Sequence, residues 1–258
     1  MKDRGRAARG YDLYGNIAVI DSSPSRAKGV GAMVLRENKN IETVLRKGGA
    51  VSGRYRTRKL VYVSGKRSYA AKYRENGCTF VFDIRKTFFS TRLAYERLRV
   101  AKLAKDGERV IVMFAGVGPY SIEIAKMHKK SRVISIEINA AASKYARENA
   151  RINKTPNVTV EQGDVRRFAS KYAHFADRIL MPLPMSSRRF LTVALKMCSG
   201  RCAIHYYAFC KEAKVRDEIR MLRSFFEKRK RKFKLIGWRK VRPYSAKEIE
   251  IAVDFLVH

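Results

Sequence analysis

A glycine-containing turn offers this chain's clearest site for a bound small molecule. The segment Phe114–Pro119 follows an apolar strand and precedes a predicted helix, and it carries Ala115, Gly116 and Gly118. Glycine lets the backbone approach a ligand closely because it has no Cβ. Ligands bind at the carboxyl ends of the strands in open parallel sheets, so this position predicts ligand contact.

Two carboxylates follow the next strands and add polar groups to the same edge. Glu137, followed by Ile138, comes after the glycine turn at the spacing where an acid can accept both ribose hydroxyls of a nucleoside. Asp164, followed by Val165, could accept the exocyclic amine of adenine. Each acid could instead cap the helix after it. Because the turn lacks a third glycine, S-adenosylmethionine fits this crevice better than a nicotinamide cofactor.

The elements that position these groups alternate between strand and helix from about residue 92 onward. The predicted strands are Arg109–Phe114, Arg132–Ile138, Asn157–Glu161, Asp177–Met181 and Arg201–Tyr207, and the predicted helices are Arg92–Ala104, Tyr120–Lys129, Ala141–Asn153, Ser187–Cys198 and one from Lys211. This alternation predicts a parallel sheet with helices on both faces. Phe233–Val241 and Glu248–Val257, separated by a short Pro-containing turn, predict a final antiparallel hairpin.

A different pattern occupies residues 10–85. Short strands are predicted at Ile17–Asp21, Thr43–Arg46, Lys59–Val63 and Thr79–Asp83, with glycine-containing turns between them and no long helix. We therefore expect an α/β protein in which a small α+β domain, residues 1–87, precedes a Rossmann-like domain, residues 88–258. A parallel sheet that ends in an antiparallel hairpin resembles the methyltransferase variant of the Rossmann architecture.

The chain of 258 residues carries 57 Lys and Arg against 23 acidic residues, a formal net charge of +34. Such an excess opposes compaction and favours an anionic partner, for which nucleic acid is the first candidate. Basic residues that merely decorate the surface are the other explanation. The segment Lys211–Lys240, with Phe225, Phe226 and Trp238 interleaved, predicts either an RNA-facing surface or a basic helix whose aromatic side chains are core.

Several features exclude other classes of protein. The longest apolar runs, such as Val110–Val117, are too short to cross a bilayer. Met1–Arg9 lacks the apolar segment of a secretory signal, so we expect a cytoplasmic protein without membrane contact. The four cysteines lack the paired spacing of a zinc site, which favours free thiols over a metal site.

Seven short motifs extend in order over nearly the whole chain: Val44–Lys47, Tyr55–Arg58, Phe89–Arg92 with Glu96-Arg97, Met113–Pro119, Asp177–Met181, Leu183-Pro184 and Ile204–Tyr207. Together they resemble the archaeal and eukaryotic type of tRNA (guanine-37-N1)-methyltransferase. The resemblance begins near Tyr11, so we expect the chain to lack the small N-terminal domain of many members. It implies a class I S-adenosylmethionine-dependent methyltransferase domain, a tRNA partner, no metal and a monomer.

The resemblance also assigns roles to individual residues. The family's general base, which removes the N1 proton of guanine, falls on Glu96. The arginine that stabilises the charge developing at O6 falls on Arg56, with Arg58 as its competitor. The implied cofactor contacts are Phe89, Arg92, Ala115, Gly116, Gly118, Glu137, Ile138, Asp164, Val165 and Pro184, and the implied substrate contacts are Pro182, Tyr207 and Arg97. Without the resemblance, Glu96 would be expected to pair with Arg92 or Arg99 on its own helix.

The chain departs from the family at two site positions. Val112 replaces an Asp that helps to position the methionyl part of the cofactor, and Pro182 replaces an Asn that holds the target base. Two other functions therefore stay open: aminocarboxypropyl transfer in wyosine synthesis, and tRNA binding without catalysis. Leu183-Pro184 and His205–Tyr207 favour methyl transfer, and the retention of Glu96 argues against loss of catalysis.

Overall fold

The small sheets come first along the chain in the computed structural model, which describes residues 10–53 and 55–258. Strands β1 (Tyr11–Tyr14), β2 (Ile17–Ile20), β3 (Thr43–Ser52) and β4 (Thr57–Gly65) form one sheet in that order. In it β2 and β3 are parallel, whereas the other neighbours are antiparallel. Strands β5 (Ala70–Glu75) and β6 (Cys78–Asp83) form a separate hairpin. The expectation for Met1–Arg9 lies outside the described residues.

A helix packs on the four-stranded sheet, so the expectation of no long helix before residue 85 is wrong. Helix α1 (Pro24–Glu37) begins with a proline, whose missing N–H costs nothing in a first turn. Its buried residues are only Ala27, Gly31 and Val34. A Cβ added at Gly31 would clash with side chains of β4, so the helix needs glycine to approach the strand. The sequence does not predict this helix, because two glycines lower its helix propensity and its buried stripe is too narrow to give a clear apolar periodicity.

The larger part of the molecule is one seven-stranded sheet. Its strands are β7 (Arg109–Met113), β8 (Arg132–Glu137), β9 (Val158–Gln162), β10 (Ala176–Met181), β11 (Cys198–Cys210), β12 (Phe233–Pro243) and β13 (Ile249–Val257). Their order is β12-β13-β11-β10-β7-β8-β9, with β13 antiparallel to both of its neighbours and the strands from β7 to β11 parallel. The predicted parallel sheet and terminal hairpin are confirmed.

Helices cover both faces of this sheet. They are α2 (Ala94–Leu103), α3 (Pro119–Met127), α4 (Ala140–Ile152), α5 (Val165–Phe168), α6 (Leu191–Met197) and α7 (Val215–Glu227). Alternate residues of a strand face opposite layers. Ile111 and Met113 of β7 therefore share a core with Phe226 of α7, whereas Val110 and Val112 share one with α2 and α3. Among the described residues, no helix is long and apolar enough to cross a membrane.

The β5–β6 hairpin attaches to helix α4 through two asparagines. The Asn149 Oδ1 atom accepts a hydrogen bond from the Val81 N–H (2.8 Å), and its Nδ2 atom donates to the Val81 carbonyl (3.2 Å). Asn153 bonds both backbone groups of Thr79 in the same way, at 2.8 Å and 2.6 Å. These side-chain amides satisfy backbone groups that a neighbouring strand would otherwise satisfy. The hairpin is thereby fixed to the larger sheet's helices.

Candidate active site

The glycine turn lies at the carboxyl end of β7. Phe114, Gly116 and Gly118 have φ angles of 56°, 58° and 86°, a left-handed conformation that glycine adopts without strain. A Cβ added at Gly118 would lie 3.4 Å from the Cβ of Ala146, so α4 packs closely behind the turn. The Gly116 N–H donates to Glu137 Oε2 at 2.7 Å. The turn and the acid after the next strand are therefore in direct contact.

Glu137 accepts hydrogen bonds on both carboxylate oxygens, one from the turn and one from the backbone that follows β8. Its Oε1 atom accepts from the Asn139 N–H at 2.7 Å, and the carboxylate is mostly buried. Burial raises the pKa of Glu137, although the hydrogen bonds from Asn139 and Gly116 act to lower it. A carboxylate offers about four acceptor positions, so lone pairs remain for ribose hydroxyls. The predicted ribose contact of Glu137, and of its neighbour Ile138, remains a prediction.

Asp164 lies after the third strand and caps helix α5. Its Oδ1 atom accepts from the Arg166 N–H at 3.0 Å, and its carboxylate also pairs with the Arg166 side chain. The helix-capping alternative from the sequence is therefore present in the structure. Val165 is buried in the main core, and Ala115 of the turn is buried in the cluster that includes α2. The Asp164 side chain is 18% exposed, and its predicted contact with the cofactor remains a prediction.

A cavity of about 630 Å³ lies between the four-stranded sheet and residues 84–92. Four predicted site residues line it: Arg56, Arg58, Phe89 and Arg92. Other lining residues were not predicted, among them Asp12, Tyr14, Lys47, Met185, Arg242 and Tyr244. The glycine turn borders the same wall, since a Cβ added at Gly116 would lie 3.7 Å from the Phe88 carbonyl oxygen. The two arginines and the glycine turn therefore approach the segment around Phe88.

Of the four arginines that line this cavity, Arg56 and Arg58 form no ion pair with a carboxylate of the described residues. Arg56 has a φ angle of 53°, and its guanidinium lies 4.3 Å from the centre of the Phe88 ring. Burial lowers the pKa of Arg56, an effect that Glu250 opposes and Arg242 reinforces. The Arg58 Nε atom is buried and has no hydrogen-bond partner among the described residues. A buried donor without an acceptor is costly, so this cavity suits a ligand that brings hydrogen-bond acceptors.

Glu96 lies buried on α2 and does not line the cavity. Its Oε1 and Oε2 atoms accept from the Arg99 guanidinium at 2.6 Å and 2.8 Å, and Oε1 also accepts from the Tyr207 hydroxyl at 2.7 Å. The pairing with Arg99 that the sequence offered as an alternative is present, whereas Arg92 pairs with Asp12. With about two acceptor positions per oxygen, only Oε2 keeps one free. The predicted role of Glu96 as general base remains a prediction.

The Arg99 side chain continues into a buried chain of polar groups. Arg99 bonds Asp254, and Asp254 Oδ1 lies 2.7 Å from His205 Nδ1. Arg178 NH1 lies 2.6 Å from His205 Nε2, and a guanidinium can only donate, so the imidazole carries its proton on Nδ1 and donates to Asp254. Burial lowers the pKa of His205. It opposes ionisation of Asp254, but hydrogen bonds from His205 and Arg99 outweigh burial and lower the Asp254 pKa to about 2.

Two residues expected to bind substrate are buried in this structure. Tyr207 is 1% exposed, and its hydroxyl accepts from Tyr120 at 3.3 Å while donating to Glu96. Arg97 is 2% exposed, and its guanidinium donates twice to Glu75 at 2.6 Å and once to the Ser90 carbonyl. The structure therefore brings neither side chain to the cavity surface. Their polar atoms serve other protein groups.

The loop after β10 carries Pro182 and Pro184 next to the cavity. The Ser187 hydroxyl lies within hydrogen-bond distance of the Met181 and Leu183 carbonyls, at 2.8 Å and 2.9 Å, and so pins both ends of the loop. Pro184 is buried and Pro182 half-buried. Met185 projects onward as a cavity residue, 65% exposed. The sequence analysis missed Ser187, although a small hydroxyl residue just before a helix is a common loop anchor.

A second buried ionic group lies on the other side of α2 and was not predicted. Arg97 is 3.7 Å from Glu123 Oε1 in addition to its contacts with Glu75, and Asn76 donates to Glu123 Oε2 at 2.8 Å. Burial and the adjacent Glu75 raise the pKa of Glu123 to about 9. Glu123 is therefore protonated at neutral pH. Its place between Ile122 and Ile124 in the sequence was the available signal of burial.

The large sheet combines parallel strands with one inserted antiparallel strand, β13. A glycine turn follows β7, and an acid follows β8. This combination defines a Rossmann-like class I S-adenosylmethionine-dependent methyltransferase fold. Residues 71–236 match the model of the TRM5/TYW2 methyltransferase domain. The chain belongs to this family.

Individual relatives agree with that placement. The chain is 39% identical over 252 residues to the tRNA (guanine(37)-N(1))-methyltransferase Trm5b of Pyrococcus abyssi, which covers 96% of this chain and 74% of the relative. A crystal structure of Trm5b from the same organism superposes with a TM-score of 0.86 at 38% identity, covering 96% of this chain and 74% of the other. Methanocaldococcus jannaschii TYW2, solved in complex with AdoMet, gives 0.76 at 25% identity, with 96% and 99% covered.

Proposed function

We propose that this protein transfers a methyl group from S-adenosylmethionine to N1 of the guanosine 3′ to the anticodon of a tRNA. The tRNA (guanine(37)-N(1))-methyltransferase name of the Pyrococcus abyssi relative and the AdoMet complex of the Methanocaldococcus jannaschii neighbour support this substrate and cofactor. The strong positive charge suits an RNA substrate. For this substrate we also propose a cytoplasmic, monomeric enzyme whose small domain ends near residue 87.

The observation that carries the proposal is the state of the Glu96 carboxylate. N1 of guanine is protonated and a poor nucleophile, so a positioned base must remove its proton. Glu96 is held by Arg99 and Tyr207 in a way that leaves one acceptor position on Oε2. Removal of the N1 proton by this atom is the step that we assign to Glu96.

Arg56 and Arg58 supply positive charge where the deprotonated guanine would carry negative charge. Both line the cavity, and the unpartnered Arg58 Nε donor requires an acceptor such as a base oxygen. Donors placed in advance stabilise the transition state more than the ground state. Arg56 approaches on a left-handed backbone over Phe88. We assign one of the two to O6 and the other to the adjacent phosphate.

The residues at the sheet edge fit S-adenosylmethionine. When bound, this cofactor supplies an electrophilic methyl group. Gly116 and Gly118 place no side chain at their two positions of the turn, Glu137 keeps acceptor positions for ribose, and the Asp164 side chain is 18% exposed. Val112, in place of the family's Asp, is fully buried in an apolar cluster with Tyr120 and Tyr207. The chain therefore must position the methionyl end of the cofactor without a carboxylate at that strand end.

The test is incubation with methyl-labelled cofactor and tRNA transcripts that carry G or A at the candidate position. We expect label only in the G transcript, recovered as 1-methylguanosine by mass spectrometry of the digested RNA. A product with the mass of an aminocarboxypropyl group would show the wyosine-pathway activity instead. Binding of the cofactor without any product would show a tRNA-binding homologue without catalysis. Either of these results would overturn the proposal.

A further inference from the structure

A groove on the other side of the β10 loop has the features of an RNA-binding surface. It lies between the turn before α6 and helix α7 and has a volume of about 330 Å³. We call it the Arg188 groove, and its lining residues are Arg188, Leu191, Met221, Ser224, Phe225, Lys228 and Arg229. The floor is apolar and includes the half-buried ring of Phe225. The rim carries three exposed cationic side chains.

The cations on this rim are not neutralised by the protein. No ion pair joins Arg188, Lys228 or Arg229 to a carboxylate within the described part of the chain. The carboxylates of α7 nearest to them are engaged elsewhere, because Glu218 accepts from the Tyr206 hydroxyl and Glu227 faces Arg223. An unneutralised cluster above an apolar floor attracts a polyanion that also has flat apolar surfaces. A single-stranded nucleic acid has both features, since its phosphates meet the cations and its bases stack on aromatic rings.

The groove and the candidate active site lie close together along the chain after β10. Met185 lines the cavity and Arg188 lines the groove, and the two lie on one loop that Ser187 pins. Three residues span at most about 11 Å. One strand of RNA could therefore contact Met185 and Arg188 without leaving the surface. The Arg229 guanidinium lies over the Phe225 ring, 3.9 Å from its centre, so it covers one face of the ring and presents its own outer plane for stacking.

We propose that the Arg188 groove binds the single-stranded segment of the tRNA anticodon loop next to the target nucleotide. The phosphates contact Arg188 and Lys228, and a base stacks on the Arg229 guanidinium that lies over the Phe225 ring. This inference rests on the proposed function for the identity of the RNA. It adds a specific surface, on α6 and α7, for the nucleotides that flank the modified one.

The test is the salt dependence of RNA binding by the double variant Arg188→Ser with Lys228→Ser. Fluorescence anisotropy would measure the Kd for full tRNA and for an isolated anticodon stem-loop over a range of KCl concentrations. Each single-strand phosphate contact contributes about 0.7 to the slope of log K against log salt. We expect the slope to become shallower by about 1.4 with both RNAs. The matched control is Lys129→Ser with Lys130→Ser, two exposed lysines before β8 at the opposite end of the strands, which should leave the slope unchanged.

A second variant separates stacking from charge. Phe225→Leu keeps an apolar floor but removes the ring, so we expect weaker binding of both RNAs with an unchanged salt slope. An unaltered slope in the double variant, or an effect limited to full tRNA, would overturn the groove assignment. Binding is measured without methyl transfer, so failure of the two proposals is distinguishable. A changed salt slope without any 1-methylguanosine product would support the groove assignment and overturn the proposed activity. An unchanged slope with 1-methylguanosine formed would support the activity and overturn the groove assignment.

Discussion

Two buried ionic clusters lie on either side of one helix, and they begin at consecutive residues. The Glu96 cluster consists of Glu96, Arg99, Asp254, His205 and Tyr207, and it connects α2 to the seven-stranded sheet. The Arg97 cluster consists of Arg97, Glu75, Glu123 and Asn76, and it connects α2 to the β5–β6 hairpin and α3.

The clusters differ in how their carboxyl groups are balanced. In the Glu96 cluster, Arg99 and the neutral His205 hold Asp254 ionised, and Arg99 also holds Glu96. In the Arg97 cluster two carboxyl groups share one guanidinium, and the pKa of Glu123 rises to about 9. Adjacent positions of one helix thus belong to two separate buried networks with different carboxyl-group balance.

The largest expected effect is the loss of the proton acceptor. We predict that Glu96→Gln reduces methyl transfer by about 10²–10⁴-fold, the usual range for a general base. Cofactor and tRNA binding should stay nearly unchanged, because the amide keeps the size of the side chain. Single-turnover kinetics with labelled cofactor would measure the rate. The matched control is Glu123→Gln, the same change in the other cluster, which should keep the wild-type rate. Equal losses of methyl-transfer rate in both variants would contradict a catalytic role specific to the Glu96 cluster.

The next effect is on stability and belongs to the Arg97 cluster. Arg97→Met leaves Glu75 buried without its cation, and removing one partner of a buried pair costs about 3–5 kcal/mol. Urea unfolding would measure the free energy of unfolding. Arg151→Met is the control, because that arginine pairs with Glu148 on the surface and should change stability little. A small loss for Arg97→Met would mean that the hairpin does not depend on this pair.

The protonation of Glu123 predicts a pH dependence of stability. The folded chain keeps a proton that the unfolded chain releases near its ordinary pKa of 4.5. The resulting stabilisation is complete below pH 4.5 and is lost as the pH rises toward 9, by at most about 1.4 kcal/mol per pH unit. Glutamine imitates the protonated acid, so Glu123→Gln should show a flatter decline in Tm between pH 6 and pH 8. Parallel curves for the two proteins would contradict the assigned proton.

The smallest expected effect separates two roles for Tyr207. Tyr207→Phe removes one hydrogen bond to the Glu96 carboxylate, and we expect kcat to fall about tenfold, or ~1.4 kcal/mol. The KM for tRNA should not change, since the ring is buried. Tyr206→Phe, which loses only a bond to Glu218, is the control. A rise in KM with an unchanged kcat would instead support the substrate contact that the family resemblance implies.

The sequence predicted the architecture of the larger sheet well because its strands and helices follow strong periodic patterns. It predicted the glycine turn and Glu137 because their spacing is local. Helix α1 was missed since its buried face consists of small residues. The hydrogen-bonded chain from Glu96 to Asp254 could not be predicted, because it joins residues 158 positions apart. Burial of Arg97 and Tyr207 likewise depends on packing that no local pattern encodes.

The two asparagines that bind the hairpin carry a chemical liability. Hydrolysis of the Asn149 amide would replace its Nδ2 donor by a carboxylate oxygen facing the Val81 carbonyl, and the same change at Asn153 would oppose Thr79. The new carboxylate oxygen and the backbone carbonyl oxygen, both acceptors, then repel each other where the amide had donated a hydrogen bond. Deamidation is a slow process that heat accelerates, and asparagine is among the thermolabile residues. Aged copies of the protein would therefore lose the attachment of the hairpin to α4 before the large sheet itself opens.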